Sequence, residues 1–152
     1  RKKRTLAREM LRYAYACMEG KAMSILSNSV HTGLFVEDIG AMVAFYRDIL
    51  GFETDWDGGP FASFKVKDGG LFMFDRARFC EDMGQPYQTP RGYNTTMEIG
   101  IGVPSPGYVD REYERLNALG VKSLTGAPVT RPWGQRNFFI ADPEGNYIEI
   151  GS

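Results

Sequence analysis

Three residues of the types that bind divalent metal ions occupy matched places in the sequence. His31 opens the run HTGLFV, Glu98 opens the run EIGIGV, and Glu149 lies in the run YIEI near the end of the chain. An imidazole and two carboxylates can hold a divalent ion, with solvent in the remaining coordination positions. Without an ion, His31 could hydrogen-bond a neighbour, or all three side chains could form a cluster that shares protons.

The elements that must position these residues occur twice, as a strand, a helix and three further strands, with an offset of 67 residues at the first strand. The first copy predicts a strand over 31–36, a helix from the N-cap Asp38 to Gly51, and strands near 52–56, 61–67 and 70–75. The second copy predicts a strand over 98–103, a helix from Ser105 to Gly120, and strands near 121–124, 136–140 and 147–150. The sequence therefore predicts an α+β fold of two βαβββ modules.

The segment between the two copies reads differently. Residues 76–93 contain Pro86, Pro90 and Gly92 and show no clear hydrophobic period. A connection of this length in a compact domain is typical of a linker or of a cover over a functional site. We expect this segment to act as a lid.

Side chains along a strand alternate between the two faces of a sheet. The apolar residues of 31–36 and 98–103 share one parity, which predicts a face covered by the helix, while His31, Glu98 and Glu149 fall on the other. In the run 70–75 we expect Phe72 and Phe74 to be covered, which leaves Met73 at the position that matches Glu149. His31, Met73, Glu98 and Glu149 are thus predicted to converge on the uncovered face.

Aromatic and basic residues near these positions predict a pocket for a flat ligand with an acidic group. The predicted pocket residues are Phe35, Trp56, Met73, Arg91, Trp133 and Arg136. In this interpretation the rings contact the ligand and the two arginines meet its acidic group. The alternative is that the rings fill the core and that Arg136 pairs with Glu149 across adjacent strands.

The formal net charge of −1 conceals a basic beginning and an acidic remainder. Residues 1–22 contain seven basic and two acidic side chains, while the rest of the chain contains eleven basic and seventeen acidic ones. An acidic body disfavours nucleic acid as a partner, and no apolar run has the length of a membrane span. The two cysteines form no CxxC pair, which favours the reducing cytoplasm over a disulfide scaffold.

Within the basic segment, residues 3–19 have the apolar period of an amphipathic helix that ends at Gly20. Such a helix can pack on its own domain or on a second copy of the chain. A basic amphipathic helix can also bind an acidic membrane or a partner groove.

Four stretches of the sequence resemble the vicinal oxygen chelate superfamily, which includes glyoxalase I, bleomycin-resistance proteins, extradiol dioxygenases and fosfomycin-resistance enzymes. The stretches are HTGLFVED from His31, FYRDILGF from Phe45, WGQR from Trp133 and DPEGNYIEI from Asp142. The resemblance covers about residues 29–151, with modules over about 29–75 and 94–151, and leaves out residues 1–22. It implies an open, curved mixed sheet around a central cavity, with an ion between the modules.

The resemblance also implies roles for single residues. His31 matches the first-strand histidine ligand and Glu149 matches the final-strand glutamate ligand. Glu98 stands where the metalloenzymes usually have histidine, and Met73 stands where the glyoxalase type has a carboxylate or amide. A thioether is a poor ligand for Zn²⁺, Ni²⁺, Mn²⁺ or Fe²⁺. The expected site is therefore His31, Glu98 and Glu149 without an organic cofactor, and its two carboxylates disfavour dioxygenase chemistry.

Two functions follow from the resemblance. One is a lyase or isomerase that depends on a divalent metal and acts on an oxygen-chelating substrate, with Glu98 or Glu149 as general base. The other is a metal-free protein that sequesters a drug or metabolite, as the bleomycin-resistance branch does. In either case the family habit implies a small-molecule ligand and a homodimer.

Overall fold

The computed structural model describes residues 31–84, 86–87 and 91–152, and residues 31–152 form one compact unit. The basic segment 1–22 and its predicted helix lie outside the described residues. The described strands are β1 (His31–Val36), β2 (Phe61–Phe64), β3 (Gly70–Asp75), β4 (Asn94–Gly102), β5 (Val129–Thr130), β6 (Arg136–Ala141) and β7 (Asn146–Gly151). The described helices are α1 (Ile39–Ala44), which continues as a π-helical segment over Phe45–Ile49, α2 (Arg76–Met83) and α3 (Pro106–Ala118).

The first module is a three-stranded sheet of order β1-β3-β2, in which β1 and β3 are parallel and β2 is antiparallel to β3. The predicted N-cap of α1 is confirmed, because the Asp38 side chain accepts a hydrogen bond from the backbone N–H of Ala41. The helix covers the face that carries Leu34 and Val36, both of which are buried.

The second module is a four-stranded sheet of order β4-β7-β6-β5, in which the first and last strands, β4 and β7, are again parallel neighbours. Pro106 starts α3, since proline at the first helical position loses no hydrogen bond. Ile148 and Ile150 are buried under this helix. The two modules are open sheets, and the α+β prediction with paired modules is confirmed. None of the helices described is long and apolar enough to cross a membrane.

Two predicted strands are wrong. Residues 52–56 and 121–124 run outside the sheets, with backbone bonds such as those from Lys65 N to Glu53 O (2.8 Å) and from Leu124 N to Phe139 O (2.7 Å). The second strand of the second module is instead the short β5. The first module therefore has one strand fewer than the βαβββ pattern.

The segment 76–93, predicted as an irregular lid, begins with helix α2. The Asp75 side chain caps this helix by accepting from Arg78 N, and Gly84 ends it in the left-handed conformation with φ 62°. Both residues are ordinary helix signals. The sequence pattern does not reveal this helix, because Asp75 also ends β3 and the short helix has no buried apolar stripe.

The turn Asp142–Asn146 joins the second module to the first. Asp142 is 5 % exposed, and its carboxylate accepts from its own turn, at Glu144 N and Asn146 N, and from the Tyr46 hydroxyl of the first module (3.1 Å). The Asn146 side-chain amide donates to the same carboxylate (2.8 Å). A buried carboxylate is thus fully supplied with donors, one of them from the other module.

Glu144 makes the second connection. One carboxylate oxygen accepts from the backbone N–H groups of Glu37 (2.5 Å) and Asp38 (3.0 Å), at the start of α1. The other accepts from Arg76 (3.0 Å), whose guanidinium also donates to the carbonyl oxygen of Phe35 (2.6 Å). We call these contacts of Asp142 and Glu144 the turn clamp. Through these contacts the DPEGN stretch joins the two modules, which gives it a role in the fold.

Replacing Tyr46 by phenylalanine tests the turn clamp. Tyr46→Phe leaves the buried Asp142 carboxylate without one donor, so we expect the free energy of unfolding to fall by about 1–2 kcal/mol in urea denaturation. Tyr108→Phe is the matched control, because this ring is 46 % exposed on α3, and it should change the free energy by less than about 0.5 kcal/mol.

The effect of Tyr46→Phe should depend on pH. Burial raises the pKa of Asp142 above its ordinary value of 3.8, while hydrogen bonds that include the Tyr46 hydroxyl lower it. Removing the hydroxyl raises this pKa further. A carboxyl with a raised folded-state pKa favours folding at low pH and loses this contribution as the pH rises through that pKa. The deficit of the variant should be full at neutral pH and should shrink below the pKa of Asp142. An equal deficit at every pH would contradict the assignment.

Candidate functional site

The uncovered face of the first sheet is organised by two glycines that face rings on the neighbouring strand. The parallel register places His31 beside Gly70 and Gly33 beside Phe72. The His31 imidazole occupies the space where a side chain at position 70 would begin, and a Cβ at position 33 would lie 2.6 Å from the Phe72 ring. The rings can lie flat across the strands only because both positions are glycine.

The predicted placement of Met73 on this face is wrong. Met73 is fully buried in the core, because the register pairs it with the buried Leu34. The residue that matches Glu149 is Phe72, since Phe72 pairs with Gly33 as Glu149 pairs with Gly100. Residues 70–74 are all apolar, so the sequence of this run does not show which of its residues face the helix.

Five phenylalanine rings cluster on this side of the first module. They are Phe35, Phe61, Phe72, Phe74 and Phe79, which we call the phenylalanine platform. Phe35 stacks on Phe79 of α2 with ring centroids 4.0 Å apart, and Phe61 lies 5.8 Å from Phe72. Phe35 is 41 % exposed and Phe61 is 47 % exposed. The platform is therefore an aromatic surface open to solvent, of which only Phe35 was predicted as a pocket residue.

The uncovered face of the second sheet carries carboxylates and glycines. Glu98, Gly100 and Gly102 follow one another on this face of β4, and a Cβ at either glycine would meet no heavy atom within 4 Å. Glu149 lies on the adjacent β7, opposite Gly100. The rings of Phe139 and Tyr147 share this face, with centroids 6.3 Å apart, so carboxylates and open glycines lie beside aromatic surface here.

Glu149 is held by a chain of hydrogen bonds that the sequence analysis missed. Its carboxylate accepts from the side-chain amide of Asn137, which is 3 % exposed, and the Asn137 side-chain oxygen accepts from Arg131 Nε (2.8 Å). Gln135 accepts from Asn137 Nδ2 (3.4 Å) and from Trp133 Nε1 (3.0 Å). The exposed Trp133 is thus joined to Glu149 through amides, and the only sequence clue was a polar residue inside the strand β6.

The two roles predicted for Arg136 are both wrong. Its guanidinium binds both carboxylate oxygens of Asp110 on helix α3 and holds the pKa of that carboxyl below its usual range through these hydrogen bonds. Arg136 shares its parity on β6 with the buried Phe138 and Ile140, so it faces the helix. It meets neither Glu149 nor the uncovered face.

Trp56 also lies away from the uncovered face. Its indole N–H donates to the carbonyl oxygen of Gly59 (2.8 Å), and its ring reaches Gly40 in helix α1. It packs partly buried against the core. The alternative interpretation of this ring as a core residue is therefore correct.

A cavity of about 470 Å³ lies between β1 and the start of β4. We call it the junction cavity. Its wall includes Phe35, Arg76, Arg91, Tyr93, Met97 and Glu144. It brings together Phe35 and Arg91, two of the predicted pocket residues. A larger cavity of about 720 Å³ adjoins it and shares Arg76, Tyr93 and Glu144.

The donor set of the described residues of one chain does not fit a divalent ion. Among residues 31–84, 86–87 and 91–152, no three His, Cys, Asp or Glu side chains lie close enough together to hold one. His31, Glu98 and Glu149 are therefore not gathered within one chain. The position that matches Glu149 in the first module is Phe72, which has no donor atom, and Glu149 itself accepts a hydrogen bond from Asn137.

Comparison with known proteins gives concordant results. The YwbC protein of Bacillus subtilis is 25 % identical over 135 residues, which span 79 % of this chain and 93 % of YwbC. A glyoxalase/bleomycin resistance protein/dioxygenase from Nocardioides has a TM-score of 0.73 at 24 % identity, with 91 % of both chains covered. Lactoylglutathione lyase from Agrobacterium tumefaciens has a TM-score of 0.66 at 26 % identity, with 83 % of this chain and 93 % of the lyase covered.

A family model matches residues 28–150, which include both modules and the turn clamp. The chain belongs to the Glyoxalase/Bleomycin resistance protein/Dioxygenase superfamily.

Proposed function

We propose that the protein binds an aromatic small molecule on the phenylalanine platform and needs no metal ion to do so. The observation that carries this proposal is the exposed five-ring cluster, with Phe72 at the position that matches Glu149. Phenylalanine has no donor atom, so a ring at this position removes one metal-binding side chain. The same exchange adds a stacking surface for a flat molecule.

The exposure of the platform supports a ligand rather than a purely structural role. Phe35 and Phe61 leave much of their rings in water although both contact other rings. Covering such rings with an aromatic ligand removes apolar surface from water and adds offset or edge contacts. The function is then sequestration, the second of the two functions that the family resemblance implies.

Phe61→Ala tests the platform. Losing one ring contact worth about 0.5–1.5 kcal/mol should weaken the binding of naphthalene- and phenyl-based compounds by roughly 2- to 10-fold in calorimetric titration. Tyr108→Ala is the control, since this ring has the same degree of exposure, 46 % against 47 % for Phe61, but lies on helix α3. Equal affinities for the two variants, or no binding by the unmodified protein, would reject the platform as the site.

A metal-dependent lyase or isomerase is the second candidate. It is favoured by His31 and Glu149 at the predicted ligand positions and by the 26 % identity to a protein named lactoylglutathione lyase. A divalent ion at such a site acts as a Lewis acid toward substrate oxygens. Glu98 or Glu149 would hold the ion or accept a proton from the substrate.

The described residues of one chain do not supply this site, so this candidate places it between two chains. Because no three ligand-type side chains of the described residues gather within one chain, His31 would have to meet Glu98 and Glu149 of a second copy. The lyase candidate therefore includes a homodimer, in which each site combines residues of both copies.

Metal content separates the two candidates. The lyase candidate predicts stoichiometric Zn²⁺, Ni²⁺, Mn²⁺ or Fe²⁺ by elemental analysis, and its loss in both His31→Ala and Glu149→Gln. Refolding the two variants together should restore part of the metal, because a mixed dimer has one site with both residues intact. Failure to bind metal after incubation with all four ions would leave the metal-free candidate alone.

A further inference from the structure

We infer that the junction cavity binds the carboxylate of the ligand, so that the protein selects aromatic acids over neutral aromatic compounds. This inference rests on the proposed function, because it places the ring of the ligand on Phe35, the platform residue that also lines the cavity.

The charges of the cavity wall favour one negative charge. Glu144 is already neutralised by Arg76 and by two backbone N–H groups, and Arg76 is held in turn by the carbonyl oxygen of Phe35. Arg91 makes no hydrogen bond or ion pair with any residue that the structure describes, yet it lines the same cavity. Among the described residues that line the cavity, Arg76, Arg91 and Glu144 therefore sum to one positive charge, which the Arg91 guanidinium supplies.

The backbone holds Arg91 close to the turn clamp. Gly92 follows it, and Gly145 approaches so closely that a Cβ there would lie 2.6 Å from the Gly92 carbonyl oxygen. Asn94 N then donates to Gly145 O (2.9 Å). Gly145 has φ 83°, so glycine is required at this position for two independent reasons. The chain that carries Arg91 is thus fixed against the same turn that positions Arg76.

The cavity also has the apolar surface that an aromatic acid needs. Met97 and Tyr93 line it and are 47 % and 59 % exposed. The Phe79 ring stacks on Phe35 at 4.0 Å, and Arg76 holds the backbone of Phe35 by donating to its carbonyl oxygen. A ligand with its ring on Phe35 and its carboxylate toward Arg91 would cover exposed apolar surface and bind the guanidinium at the same time. Arginine suits this role because its planar fork can bind both oxygens of a carboxylate.

Matched ligand pairs test this inference. Phenylacetate and 1-naphthylacetate are titrated against their neutral amides, phenylacetamide and 1-naphthylacetamide, by calorimetry and by the NMR signal of the arginine Nε–H groups. We expect each acid to bind more tightly than its amide. Arg91→Ala should weaken the binding of the acids by about tenfold and leave the amides unchanged. Arg91→Lys should retain part of the preference for acids.

The control is Lys122→Ala. Lys122 is an exposed cation of the adjoining 720 Å³ cavity and does not line the junction cavity, so its loss should not change the preference. Equal binding of acids and amides, or equal effects of the two alanine variants, would overturn the carboxylate site while leaving the platform in place. Binding of neither class would overturn both the carboxylate site and the proposed function.

Discussion

The buried carboxylate of Asp142 is the constraint on which the described structure depends. It is expensive to remove from water, and the donors that compensate this cost come from its own turn and from Tyr46 in the other module. The turn can therefore adopt its conformation in full only when the two modules are together. Glu144, two residues later, then reaches the start of α1 and Arg76. Both cavities described above are lined by this turn.

The duplication conserves geometry while the chemistry of the two faces diverges. Each module pairs its first and last strands in parallel, and each places a glycine beside the residue at the matched position, Gly33 beside Phe72 and Gly100 beside Glu149. The ring of Phe72 lies across its glycine, whereas Glu149 is drawn to Asn137 and leaves Gly100 open. One framework thus presents a ring at the matched position in one module and a carboxylate in the other.

The sequence predicted what local rules determine. The alternation in β1, the Asp38 cap and the repeat of modules follow from side-chain period and backbone donors, and all are found. The sequence does not show which residues of 70–75 face the helix, because five of the six are compatible with burial. Only the pairing with β1 determines that Met73 is buried and that Phe72 lies on the uncovered face. The sequence also does not determine which carboxylate pairs with Arg136. Asp110 and Glu149 are both plausible partners by charge, and the choice depends on how α3 crosses the sheet.

The distribution of arginine partners explains why a cation remains for a ligand. Arg76, Arg115 and Arg136 each bridge elements distant in sequence, to Glu144, to the Ile49 carbonyl oxygen and to Asp110. Arg76 and Arg115 connect the two modules, and Arg136 connects α3 to its own sheet, so each guanidinium is engaged by the fold. Arg91 lies beside the same turn but stabilises nothing in the described structure. The proposed aromatic acid would use both features of this place, because its carboxylate meets the Arg91 guanidinium while its ring covers exposed apolar surface.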